Sequence, residues 1–423
     1  MIRNILLAAG LLSLVFAGKV NAQTATLSPY SRFGPGDMIF TGYAHQQAMG
    51  GTSIADYGVG KLNFSNPATY AYDTLTVFEF AFQGEYGQVA QNEERINKNN
   101  ANFSYLSFGL PIKRDRVGLS FGLIPYSATG YQVESSRELD SSGRYTSSFT
   151  GDGGYNRYFI GTGFKVGKHL TAGANFSYLF GTVNTTSRIE FDNFTFFDTR
   201  YKEENRLADF YYELGFHWQQ PLKNNYHLSL GLTGAPAVSV KTFSTVEWVN
   251  YSSGIAGVES VRDTIVYKLD EKGVTTLPMY VGFGAALAKG KKWVLLSDFV
   301  YQDWSTYKSP SGRDSLANSF RVSAGGRITP DEKSLEFLER VQYRAGFYYN
   351  QTFLDLRSTQ LNDIGITAGV GLPLRKSYQS MINFTLQAGQ RGTLDNNLVR
   401  ERYFRLQFGV TLNEDWFRKR KYD

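Results

Sequence analysis

The chain of 423 residues contains no cysteine, which excludes a disulfide framework and a cysteine-linked lipid anchor. Histidine is scarce: His45, His169, His217 and His227 are the only four, and their spacing is not that of metal ligands, so neither a metal nor a cofactor is expected. There is also no apolar stretch long enough for a membrane helix, since the run at residues 5–17 falls short of the roughly 20 residues a span requires. Charge of one sign is not dominant either. Lys and Arg number 44 against 38 Asp and Glu, a net charge of +6, and no basic-aromatic module accompanies it, so nucleic acid is not an expected partner.

What is present is aromatic and periodic. Tyr (28) and Phe (32) dominate the 15% aromatic content, a composition suited to strands. At the N-terminus, Arg3, the short apolar run and Val20-Asn21-Ala22 read as an export signal over residues 1–22, with a mature start near Gln23. An exported chain of this kind is periplasmic, secreted, or an outer-membrane barrel.

From residue 74 onward the period is two. Phe78, Phe80, Phe82 and Tyr86 share one face, with Glu79, Ala81, Gln83 and Glu85 on the other. Phe210, Tyr212, Leu214, Phe216 and Trp218 likewise oppose Asp209, Glu213 and His217. Alternation sustained over about ten residues is the pattern of a strand with lipid on one side and a polar lumen on the other. About fourteen such segments follow, an even number that closes without free edges. Short links (Lys113-Arg114-Asp115-Arg116, Gly167-Lys168-His169, Gly290-Lys291-Lys292, Arg375-Lys376-Ser377) alternate with long polar excursions at residues 124–156, 182–207 and 234–278. That asymmetry is expected of an outer-membrane barrel with periplasmic turns and extracellular loops. The fold class is therefore all-β: a transmembrane antiparallel barrel over residues 74–423, preceded by residues 23–73. One periplasmic link, Thr329-Pro330-Asp331-Glu332, reads as a helix start, with Leu335, Leu338 and Val341 on one face.

Residues 48–70 have no strand or helix period, are rich in small residues, and carry Gly50-Gly51 and Asn66-Pro67-Ala68. This stretch resembles the N-terminal hatch of the FadL-type outer-membrane transporters. Leu123-Ile124-Pro125-Tyr126-Ser127, Leu277-Pro278-Met279-Tyr280, Tyr343-Arg344-Ala345-Gly346 and the ending Trp416-Phe417-Arg418-Lys419 are similar to the Bacteroidota branch of that superfamily. The resemblance implies a fourteen-stranded barrel, a hatch over residues 23–73 inside it, and passive movement of fatty acids or hydrocarbons. Pro125, after the third strand, matches the place where those transporters have a kink that opens the wall toward lipid. The same type of barrel also serves as a scaffold, so the alternative is a subunit of a larger machine for protein secretion, outer-membrane protein insertion or surface-lipoprotein handling. Expected partners are outer-membrane lipid and lipopolysaccharide, a hydrophobic small molecule, and other envelope proteins.

The inward charges Glu79, Glu85, Asp209, Glu213, Arg321, Arg327 and Arg405 are candidates for holding the hatch, or else they solvate a wet lumen. Gly118-Leu119-Ser120-Phe121-Gly122 fits a nucleophile-elbow pattern, but it lies within an alternating strand with no helix after it. No catalytic residue is assigned and an enzyme is not expected. The basic run Arg418-Lys419-Arg420-Lys421 and the basic turns keep the periplasmic rim soluble or contact an acidic partner.

Overall fold

Alternation builds the wall directly. In the computed structural model, which describes residues 26–39, 42–139, 143–193, 195–253, 258–310, 312, 316–374 and 377–416, the period-two segments are long antiparallel strands. In chain order they are β1 (Asp37–Met38), β2 (Thr76–Gln91), β3 (Glu94–Lys113), β4 (Val117–Leu139), β5 (Gly143–Lys165), β6 (Leu170–Phe191), β7 (Asp198–Pro221), β8 (Tyr226–Ala235) and β9 (Val238–Ser253). There follow β10 (Glu259–Leu277), β11 (Tyr280–Lys289), β12 (Trp293–Gln302), β13 (Ser319–Ile328), β14 (Gln342–Leu356), β15 (Thr359–Leu374), β16 (Ser377–Gly392) and β17 (Arg400–Glu414). Fourteen of these form a closed ring, in which β8 pairs with β11 and β17 returns to β2. The residues read as an export signal and the basic C-terminal run lie outside the described residues, as do Arg375 and Lys376 of one short turn.

The two faces separate by chemistry. On β2, Phe82 and Tyr86 are exposed on the outer surface while Glu79, Ala81 and Glu85 are buried inside. On the β11–β12 pair, Phe283 lies opposite Phe299 on the outside and Gly284 opposite Asp298 on the inside. An outer face of aromatics gains from lipid contact, whereas an inner face of Gly, Ser, Thr and charges leaves room for something polar to fill it.

The polar excursions are corrected by the structure. Residues 124–156 and 182–207 are not loops: the β4–β5 ladder runs unbroken in direction from Val117↔Phe164 to Leu139↔Gly143, and β6 and β7 continue equally far. Above the membrane there is no lipid to demand an apolar face, so Ser, Thr and Tyr keep the two-residue period without the hydrophobic signature. β9 and β10 form an extra hairpin there. β9 pairs with upper β7, and beyond β9 the outer edge of β10 is bridged only at Thr276↔Lys308 among the described residues. The expected helix after Thr329 is also shorter and later, at Phe337–Arg340. Asp331 instead organises a turn, accepting from the Lys333 amide, and Glu332 pairs with Lys291 at 2.9 Å. Leu335 is fully exposed and Val341 buried, so they do not share a face.

Candidate functional site: the filled lumen

Two segments ahead of β2 occupy the barrel interior at different heights. The lower one, residues 42–73, begins with a short helix at Ala44–Gln47 and ends in a 3-10 turn at Pro67–Tyr72. Asn66 starts that turn: its side chain accepts from the Ala68 amide, and its Nδ2 donates to the Ile54 and Phe216 carbonyls. Pro67 follows at the first position, where a missing N–H is harmless. Gly50 and Gly51 have φ of 76° and 81°, so the chain turns sharply after the helix without a Cβ penalty. Tyr43, Ala44, Met49, Ala55, Leu62 and Tyr70 are buried, as is nearly everything between them.

The wall is cut to receive this segment. A Cβ placed on Gly118, Gly163, Gly173, Gly215, Gly231, Gly325 or Gly346 would come within 3.0 Å of atoms of Met49, Ile54, Asn66, Pro67 or Tyr70. Glycine here serves close approach of two backbones. Between the glycines, polar wall residues bind the hatch backbone: Asp298 accepts from the Ser53 and Ile54 amides at 2.6 and 3.0 Å, Thr367 from Gly50, and Tyr105 from Ala44. Asn175 donates to the Phe64 carbonyl, Thr385 to that of Ala44 and Asn413 to that of Gly60. Tyr72 and His217 bond at 2.9 Å, with Tyr57 packed against the imidazole.

The inward charges divide. Glu79 accepts from the Leu62 amide, Arg321 donates to the Gly50 carbonyl, and Arg327 pairs with Asp56 at 2.7 Å; these three touch the hatch. Burial raises the Asp56 carboxyl, but Arg327 and Lys61 more than offset this and hold it below its usual value. The other four do not touch it. Glu85 binds Arg405 at 2.6 Å, Glu213 lies 3.5 Å from Arg157 and accepts from Tyr280, and Asp209 caps the Lys241 and Phe210 amides where β7 parts from β9. Sequence reading missed Asp298, Tyr105, Asn175, Thr367, Thr385 and Asn413. Asp298 was findable, as the single carboxylate in the inward row of an otherwise apolar strand. The hydroxyls and amides were not, because every inward row contains them. Ser120, in the nucleophile-elbow pattern, is buried and donates to the Phe108 carbonyl.

The upper segment spans residues 28–38 and forms a strap. Ser31 bonds the Gly130 backbone on β4, Tyr30 bonds the Val399 backbone beside β17, and β1 pairs with β4 at Asp37↔Ala128 and Met38↔Ser127. Burial pushes the Tyr30 phenol up to about 12. Arg391 of β16 grips Asp37 at 2.8 Å and Glu401 at 2.6 Å. Lys98 joins Glu401 to Glu85, 3.7 and 3.2 Å away, so an alternating row of charges runs from the strap down the inside of the closure. Between strap and hatch lies a partly open chamber of about 320 Å³ whose lining includes Glu85, Arg157, Asp298, Arg321 and Arg405.

One stretch of wall is unpaired. The β3–β4 ladder ends at Leu106↔Leu123; above it β3 pairs only with β2, and β4 pairs with β5 and β1. Pro125 sits immediately above this break, at a bulge between Pro125 and Ser127. Its missing N–H is what an interrupted ladder tolerates.

The closed fourteen-stranded antiparallel barrel is the fold of solved FadL-type outer-membrane channels. The fold is similar to a Pseudomonas aeruginosa FadL homologue (TM-score 0.58, 11% identity, 90% of this chain and 100% of the other). It is similar also to the Pseudomonas putida toluene transporter TodX (0.54, 15%, 88% and 98%) and to the CymD monoaromatic hydrocarbon channel (0.56, 12%, 90% and 97%). No curated protein sequence matches the chain. The family description BamG matches it over residues 1–423, and the chain belongs to the BamG family.

Proposed function

We infer that this protein is a sealed, non-enzymatic barrel that serves as a structural subunit of a larger outer-membrane assembly. The observation that carries this is the double closure of the lumen. The hatch is held by Asp298, Arg321, Arg327, Asn175, Thr367 and Thr385 from strands all around the ring, and the strap is tied to β4 on one side and to β16 and the β16–β17 link on the other. The lining of the chamber between them mixes apolar side chains with the charges of Glu85, Arg157, Glu213, Asp298, Arg321, Arg391 and Arg405. A fatty acid or hydrocarbon entering it would strip water from whichever of those groups are not already paired, which costs free energy. Assemblies that fit are those for protein secretion, outer-membrane protein insertion or surface-lipoprotein handling; membership of the BamG family favours insertion. The export signal, the hatch boundary at residues 23–73 and a Bacteroidota source belong to the same reading. Gentle detergent extraction at native abundance, followed by size separation and mass spectrometry, tests it. The protein is expected in a stoichiometric complex with other envelope proteins, and recovery as a lone monomer would overturn the reading.

A second reading has its own observation, the unpaired stretch above Leu106 and Leu123 beside Pro125. Asn100, Asn102 and Tyr126 at this break line the chamber, giving hydrophobic small molecules a sideways path between lumen and bilayer. In that case uptake of labelled fatty acids or monoaromatics falls in a deletion strain. Equal uptake across both classes would exclude it.

A further inference from the structure

Beneath the hatch, on the periplasmic side, lies a second cavity of about 410 Å³. It shares the Arg327–Asp56 pair with the closure described above, and its charge is one-sided. Five cationic side chains line it, Lys61, Lys291, Arg327, Arg340 and Arg344, against the two carboxylates of Asp56 and Glu332. Both carboxylates are already engaged, Asp56 by Arg327 at 2.7 Å and Glu332 by Lys291 at 2.9 Å. Lys61, Arg340 and Arg344 are left.

Arg344 is almost completely buried; its two terminal nitrogens donate to Asn383 and Gln342, and its Nε has no hydrogen-bond partner. The Nε of Arg340 is likewise buried and without one. His45, also buried and lining the cavity, has no hydrogen bond at either ring nitrogen, and its neighbour Glu79 stands 3.9 Å away with one oxygen taken by the Leu62 amide. Lys61 makes no hydrogen bond or ion pair with any described residue. Burial, and after it Arg327, pulls the Lys61 ammonium well below its ordinary value; burial and then Lys61 do the same to His45. Asp56 and Glu79 offset these charges in part, but buried cationic groups with unmet donors are better satisfied when a further acceptor with negative charge joins them. An oxyanion supplies several acceptor lone pairs at once and forms charge-assisted bonds with guanidinium and ammonium donors.

We propose that this periplasmic cavity is a binding site for a small oxyanion, a phosphate or carboxylate group, held by Lys61, Arg340 and Arg344. Hatch and wall contribute together: Lys61 comes from the hatch, Arg344 from β14 and Arg340 from the link before it. A bound anion therefore ties the hatch to the periplasmic rim.

The test uses the full-length barrel in a zwitterionic detergent at low ionic strength. Inorganic phosphate, succinate and water-soluble dihexanoylphosphatidylglycerol are titrated separately by calorimetry, with thermal unfolding as a second readout. Saturable binding of at least one probe is expected, accompanied by a raised unfolding temperature; the preferred probe distinguishes free phosphate, carboxylate and lipid headgroup as the source. Lys61→Met combined with Arg340→Gln is expected to weaken that binding by about tenfold or more, the loss of one or two charge-assisted bonds. Lys61→Met alone is the companion variant, since Lys61 bonds nothing in the fold, and Arg188→Gln in the extracellular sheet is the control. Absence of saturable binding for all three probes, or equal affinity in the variants and the unmodified barrel, would overturn the proposal.

Discussion

Two seams of the same wall behave oppositely. Where β17 meets β2 the ladder is continuous from Arg400↔Ala90 to Glu414↔Thr76, and Glu85 and Arg405 lie directly opposite each other on its inner side. Where β3 meets β4 the ladder stops at Leu106↔Leu123, and the remaining upper edge of β4 takes up only the two residues of β1. The first seam joins the ends of the chain and has to survive without any covalent connection between its strands. The second joins neighbours already tied by a three-residue link. Continuity is concentrated where connectivity gives no help, and the connected hairpin is the one that can afford a break.

The largest expected effect comes from breaking the good seam. Gln407→Pro removes a ladder donor in the middle of β17, between β16 and β2, where a closed barrel has no edge to accommodate it. The heat-modifiable gel mobility of the folded barrel is expected to disappear. Next is Gly118→Val, on β4 at the turn end of the β3–β4 ladder, whose side chain would occupy the place of Tyr70 backbone atoms. The barrel is expected to assemble with its hatch displaced, and planar-bilayer recordings should show ion conductance that the unmodified protein lacks. Unchanged closure would mean that the hatch is not seated against this wall.

Arg405→Leu leaves Glu85 buried beside Lys98 alone. Stranding a buried charge costs about 3–5 kcal/mol, and the remaining lysine puts this case toward the lower end. Denaturant unfolding in detergent reads it. Met38→Cys with Ser127→Cys places the chain's first two thiols on paired positions of β1 and β4. Oxidation should cross-link them with little change in stability, and failure to cross-link would show that the strap leaves the β4 edge. In the second reading, the cross-linked protein also loses uptake of hydrophobic compounds. Pro125→Ala is expected to be the mildest, within about 1 kcal/mol, because the position already lies at an interrupted ladder. A larger stabilisation accompanied by new β3–β4 protection in hydrogen exchange would mean that proline alone holds the seam apart.

The barrel itself was legible from the amino-acid order. Lipid outside and polar contents inside impose a two-residue period, so Phe82 and Tyr86 against Glu79 and Glu85 announce the wall, and the strand number follows from repetition. The signal was lost above the membrane, where hydroxyl-rich strands at residues 124–156 look like loops because nothing apolar marks their faces. Residues 48–70 stood out only as a segment without period, and the cap that Asn66 provides to the turn at Pro67–Tyr72, though local chemistry, went unread. Which wall residues hold the hatch was not legible either. Glu79, Arg321 and Arg327 reach it while Glu85 pairs with Arg405 and Glu213 with Arg157, a choice made by strand register and by the height at which each side chain enters the lumen. The sequence determined the faces of the strands within the membrane band because that pattern is local. Only the closed ring decided which inward groups meet, because those contacts join residues hundreds of positions apart, such as Gly50 with Thr367 and Ala44 with Thr385.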